Sequence, residues 1–115
     1  MTVSIENDQL RVTVTEIGGH IAEILDKKTG INPLWVPPWN GFDGTGPDAR
    51  LLAGIKGHNL CLDIFGGPSG EECAAGLTVH GEGSVVRYEI AKRNGALDMR
   101  ANFPMAQLDF ERSIE

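Results

Sequence analysis

The sequence predicts an all-β, antiparallel protein, and three observations carry that reading. Between residues 9 and 15 the apolar Leu10, Val12 and Val14 alternate with Arg11, Thr13 and Thr15, a strict period of two that marks a half-buried strand. Alternation returns over residues 60–65 and 84–91, and residues 97–103 and 105–114 complete the set. No segment keeps apolar residues at helical spacing for three turns; residues 49–55 have room for one or two.

The elements follow in order. After the first strand comes a second apolar run over residues 17–25, in which Gly18-Gly19 predicts a bulge or a close backbone approach. Asp26-Lys27-Lys28-Thr29-Gly30 reads as a polar turn, and residues 31–36 as a short return strand, giving an antiparallel meander. Residues 37–47 carry Pro37-Pro38, Asn40-Gly41 and Gly44-Thr45-Gly46-Pro47, which cannot continue a ladder and predict a long loop. The last run, 105–114, alternates and then stops without a turn, a glycine or a polar tail. A domain rarely ends within a strand, so residues 1–115 are expected to be the N-terminal part of a single longer domain, truncated within a strand. Isolated, such a chain is expected to self-associate through its open edge.

Composition narrows the partners. A chain of 115 residues makes one domain and buries roughly two-thirds of its unfolded surface. Its formal net charge is −6, and no run of Lys or Arg is dense enough to neutralise successive phosphates. Nucleic acid and anionic membranes are therefore not expected as partners. The N-terminus lacks a basic segment followed by an apolar core, and no apolar stretch approaches a membrane span, so the expected location is the cytoplasm. Cys61 and Cys73 are too few for a disulfide framework or a zinc site and are expected to be buried thiols; no metal and no cofactor is expected.

Val79-His80-Gly81 is the most informative motif. A histidine between a β-branched residue and a glycine, closing an apolar run, is expected where a strand meets a loop, its ring open to a polar ligand. The competing reading is that His80 ends a strand and caps a turn. His80-Gly81-Glu82 matches the His-x-Glu half of a zinc-deaminase signature, but both cysteines lie upstream of it. Residues 41–46 and 66–70 are glycine-rich, yet neither is expected to open a helix and neither contains the Gly-Lys-Ser/Thr of a phosphate loop. Ser69 lacks the context of a nucleophile elbow.

What is left resembles a sugar site. Trp35 and Trp39 flank the double proline; Trp35 is expected in the core and Trp39 as an indole on which a pyranose could pack. His58 and Asn59 open an apolar run, where they could bond hydroxyls or satisfy a turn. His20 is expected to be a structural histidine, Glu71-Glu72 a solvated pair, and Asp63, if inward-facing, to need a partner.

Residues 10–34, with Gly18-Gly19 and the turn before Leu34-Trp35, together with Leu77-Thr78-Val79-His80-Gly81, resemble the opening of the aldose 1-epimerase (galactose mutarotase-like) family. The resemblance implies an antiparallel β-sandwich forming part of a β-supersandwich, and a role for His80 in hydrogen bonding a sugar near its ring oxygen and anomeric centre. It also implies proton shuttling between a carboxylate base and an imidazole acid. The chain departs from the family pattern at Gly57-His58-Asn59-Leu60, where an Asn-Arg pair is usual, leaving His58 as a substitute. The family's glutamate base and second histidine have no counterpart in these residues, so no catalytic residue is assigned. The expected substrate-binding set is His80, His58, Trp39 and Glu82. The function expected is that of an aldose 1-epimerase-like protein acting on the anomeric centre of a small-molecule sugar, incomplete and inactive over these residues alone. The alternatives are a non-catalytic carbohydrate-binding β-module and a structural β-domain.

Overall fold

The structure, a computed structural model, describes residues 1–39 and 41–115. Asn40, half of the expected Asn40-Gly41 turn, lies outside the described residues. The chain is mostly β, as its alternation predicts. Strands β1 (Thr2–Glu6), β2 (Leu10–Thr15) and β3 (Ile21–Asp26) form one antiparallel sheet in the order β1-β2-β3. Strands β4 (Glu89–Arg93), β5 (Ala96–Phe103) and β6 (Leu108–Ile114) form a second, ordered β4-β5-β6. Between the sheets in sequence lie two short helices, α1 (Ala49–Gly54) and α2 (Gly70–Ala74).

β1 adds a strand that the sequence reading passed over, although Val3 and Ile5 alternate with Thr2, Ser4 and Glu6. Its turn into β2 is built by Asn7, whose Oδ1 accepts from the backbone N–H groups of Gln9 and Leu10 at 2.8 and 2.9 Å. The expected bulge exists in this second run, but three residues past the glycine pair. Thr13 faces Glu23 while Val14 faces Ile21, so Ala22 is the extra residue. Gly18 and Gly19 instead make the connection, at φ 78° and 58°. Their close approach is real: a Cβ on Gly18 would strike the carbonyl oxygen of Ser84, and one on Gly19 would lie 2.9 Å from the Tyr88 ring.

Several expected strands do not form. Beyond the turn at 26–30, residues 31–36 contribute one isolated bridge, Ile31 to Asp26, because the Asn32 side chain takes the place of a neighbouring main chain. Its Oδ1 accepts from Ile24 N at 3.0 Å and its Nδ2 donates to Ala22 O at 3.2 Å. Residues 60–65 form no strand either; only His58 bridges to Ile21 before the chain turns away. Residues 84–88 leave the line of β4 to bond with the β2–β3 connection, Gly18 N donating to Val86 O and Tyr88 N to Glu16 O, each at 2.7 Å. The glycine-rich stretch 66–70 does open a helix, contrary to expectation. The Ser69 Oγ accepts from Glu72 N at 3.1 Å and caps α2.

Both sheets feed one core. Ile5 and Val14 come from the first, Leu97, Met99, Ala101 and Phe103 from the second, and Tyr88 sits with them. Burying each large apolar side chain contributes about 1.5–3 kcal/mol. Phe103 also stacks on Phe110 at a centroid distance of 6.1 Å. Arg112 lies on this inner face of β6, between Phe110 and Ile114, with its Nε and Nη1 buried and without a hydrogen bond. Trp35, expected in the core, is 50% exposed, since the bridge that would have carried it inward stops at Ile31. Cys61 and Cys73 are half-buried rather than buried, and form no disulfide among the described residues. No helix among the described residues is long and apolar enough to cross a membrane.

Candidate functional site

The candidate site is made where residues 63–66 run beside residues 80–82. His80 is not at a strand end. It sits in a turn with φ 64°, a left-handed conformation uncommon for a residue with a Cβ. A cost of order 1–3 kcal/mol is tolerated only where the surroundings impose the conformation. Here Gly66 imposes it. The His80 N–H donates to Gly66 O at 2.9 Å, and Gly66 N–H donates back to the His80 Nδ1 at 3.0 Å. With Nδ1 used as an acceptor, the neutral ring carries its proton on Nε2. That atom has no hydrogen-bond partner among the described residues, and it is not among the buried polar atoms. The result is one N–H left free of the fold's own hydrogen bonds by a two-point clamp.

Behind the histidine, Gly81 and Glu82 are fixed to Asp63. Gly81 has φ 76°, and a Cβ there would strike the Asp63 carboxylate. The Asp63 Oδ2 accepts from Glu82 N at 2.9 Å, the partner that an inward-facing carboxylate needed, while its Oδ1 is buried without one. The Glu82 side chain, only 2% exposed, reaches the turn between β5 and β6 and accepts from Met105 N at 3.2 Å and Ala106 N at 2.8 Å. Both carboxylate oxygens are thereby engaged with backbone, and Glu82 ties the site to the second sheet.

The other expected contacts stand apart from this clamp. His58 is exposed, its backbone bridging Ile21. Trp39 is half-buried, its Nε1 donating to Leu52 O at 3.2 Å, and it packs edge-on against Trp35 at 5.8 Å and beside Phe42 at 6.2 Å. No hydrogen bond or aromatic contact joins His58 or Trp39 to His80 among the described residues. The aromatic ring that does adjoin His80 is Phe65, at 5.5 Å with the planes tilted by 38°. The sequence reading placed Phe65 as the last residue of a strand. The signal available was the Gly66-Gly67 that follows, which ends any strand at that aromatic.

His20, expected to be structural, is fully buried and satisfied. Lys56 N–H donates to its Nδ1 at 3.1 Å, and its Nε2 donates to Ser84 O at 2.9 Å. Burial pushes its imidazole below the ordinary value of 6.5. The Cys61 thiol is pushed up, chiefly by burial and further by Asp63. Among the described residues no group of three or more His, Cys, Asp and Glu side chains is placed to hold a metal ion.

Comparison with family models, with curated proteins and with solved structures finds no match to this chain.

Proposed function

We propose that the chain binds a small-molecule sugar at His80, as an aldose 1-epimerase-like protein of the cytoplasm whose sheets belong to a galactose mutarotase-like β-sandwich. The observation that carries this reading is the His80–Gly66 clamp. A strained backbone and a spent Nδ1 leave one fixed Nε2 donor, the group needed to bond a sugar ring or anomeric oxygen. The shared core of two antiparallel sheets supports the sandwich, and the left-handed glycines Gly18, Gly19 and Gly81 explain the glycines on which the family resemblance rests.

A second reading, binding without turnover, is favoured by Glu82. Its carboxylate is committed to Met105 and Ala106, so the acid two residues after the histidine is not available as a base. In this reading the carbohydrate-binding role remains and the isomerase role is lost.

The test is titration of the 115-residue chain with D-galactose and D-glucose, following the His80 ring by NMR. Saturable shifts at His80 are expected, together with a mutarotation rate no higher than buffer. His80→Asn, which tolerates a left-handed backbone and can still accept from Gly66 N, should keep the fold. It should lose roughly two- to tenfold in affinity, the worth of one neutral hydrogen bond at about 0.5–1.5 kcal/mol. Unchanged His80 resonances at high sugar concentration would overturn the proposal, and a clear mutarotation rate would overturn the reading without turnover.

A further inference from the structure

We infer that Phe65 is the stacking face of this site, against which the C–H face of an uncharged pyranose packs while His80 Nε2–H holds a hydroxyl or ring oxygen. The inference rests on the sugar-binding reading of His80 and adds to it the residue that orients the ring. Phe65 is 87% exposed, the most exposed aromatic side chain among the described residues. A phenyl left in water is costly to keep, and a lone exposed ring is too small to be a protein docking patch, which usually covers several hundred Å². The backbone that carries it is nevertheless held. The next residue, Gly66, is the one that His80 grips, which sets the two rings 5.5 Å apart.

The space beside them is open. A Cβ at Gly66 or at Gly67 would meet nothing within 4 Å, so a ligand can lie along this backbone. An apolar face beside an outward N–H matches the amphipathic shape of a pyranose, with C–H groups on one face and hydroxyls at the rim. Charge limits the occupant further. From Gly57 to Val86 the sequence has no Lys or Arg, while Asp63, Glu71, Glu72 and Glu82 all fall within it. An anionic sugar would find no cation in this stretch to pair with, so the ring that fits is neutral. Trp39, to which the sequence assigned the stacking role, has its indole N–H tied to Leu52 O.

The experiment compares Phe65→Ala and Phe65→Trp with the unsubstituted 115-residue chain, using D-galactose and D-galacturonate as probes. Phe65→Ala is expected to weaken galactose binding roughly three- to tenfold with an unchanged melting temperature, as befits an exposed side chain. Phe65→Trp is expected to retain binding, with an indole emission that shifts on adding galactose. Galacturonate is expected to bind more weakly than galactose. If galactose binds and His80→Asn weakens it but Phe65→Ala does not, the stacking role fails while the His80 site stands. If galacturonate binds as well as galactose, the assignment of a neutral ligand fails. If galactose shifts neither His80 nor the introduced tryptophan, the site reading itself fails, and the stacking role with it.

Discussion

His20 Nε2 donates to the carbonyl oxygen of Ser84 at 2.9 Å, closing a contact across 64 residues between the β2–β3 connection and the segment that leads into the second sheet. The two bonds together require the neutral ring, because Nδ1 accepts from Lys56 N while Nε2 donates to Ser84 O. Burial holds the folded-state value of this imidazole below 6.5, so the unfolded chain takes up the proton first as pH falls. Stability should therefore be at its full value above pH 6.5 and decline below it, with a slope that approaches about 1.4 kcal/mol per pH unit. Urea midpoints at pH 7.5 and 5.5 check this. His20→Gln should lower the midpoint at pH 7.5 and flatten its pH dependence; an equal slope in both proteins would assign the acid sensitivity elsewhere.

Gly81 and Asp63 form the tightest fit behind the site. Gly81→Ala should cost about 2–5 kcal/mol, combining a left-handed backbone of about 1–2 with overpacking of about 1–3. Adding Asp63→Ala should return part of that loss, since the carboxylate is what the new methyl strikes. A double-mutant cycle with no coupling between these positions would refute the contact.

Arg112 is a charge on the core face of an edge strand. One nitrogen, Nη2, donates to Gly19 O at 2.6 Å, while Nε and Nη1 are buried without partners, and burial lowers the guanidinium from its ordinary value. Replacing such a group by an apolar side chain of similar size is often neutral or stabilising. Arg112→Met is expected to leave stability within about 1 kcal/mol of the parent or raise it; a loss beyond about 2 kcal/mol would show that the bond to Gly19 outweighs the desolvation.

Asp98 joins the β4–β5 hairpin to β6, accepting from Arg93 Nη2 at 2.8 Å and also bonding Arg93 Nε and the Ser113 hydroxyl. These partners, Arg93 first, hold its carboxyl down at about 2. The stability it adds is present above 3.8 and is lost as pH falls toward 2. Asp98→Asn should remove that step from an acid titration of stability. A titration unchanged by the substitution would mean that Arg93 and Asp98 do not pair in solution.

The outer edge of β6 pairs with no strand among the described residues. Edge pairing with a second copy is the least costly way to satisfy its backbone, so the 115-residue chain is expected to form concentration-dependent oligomers. Light scattering over a dilution series decides this, and a monomer at every concentration would overturn it. Arg112→Met should strengthen association if the inward charge now discourages it.

Period-two alternation determined the strands it could see: β2, β5 and β6 stand within a few residues of their expected places, and α1 occupies the one stretch short enough for it. Local polar chemistry determined the turn at Asp26–Gly30, because an Asp side chain and a left-handed glycine suffice to close it. Tertiary structure decided the middle of the chain. Residues 60–65 and 84–88 alternate as strands do, but the first carries Asp63, which turns to bond Glu82 N, and the second is drawn to the Gly18 connection that only a glycine allows so close. The site divided in the same way. That the chain breaks at His80 was legible from its glycine neighbour, whereas the clamp by Gly66, the companion ring of Phe65 and the withdrawal of Glu82 were not. Each of those depends on residues 14 to 24 positions apart in the chain, and no local periodicity records which distant backbone group a side chain will meet.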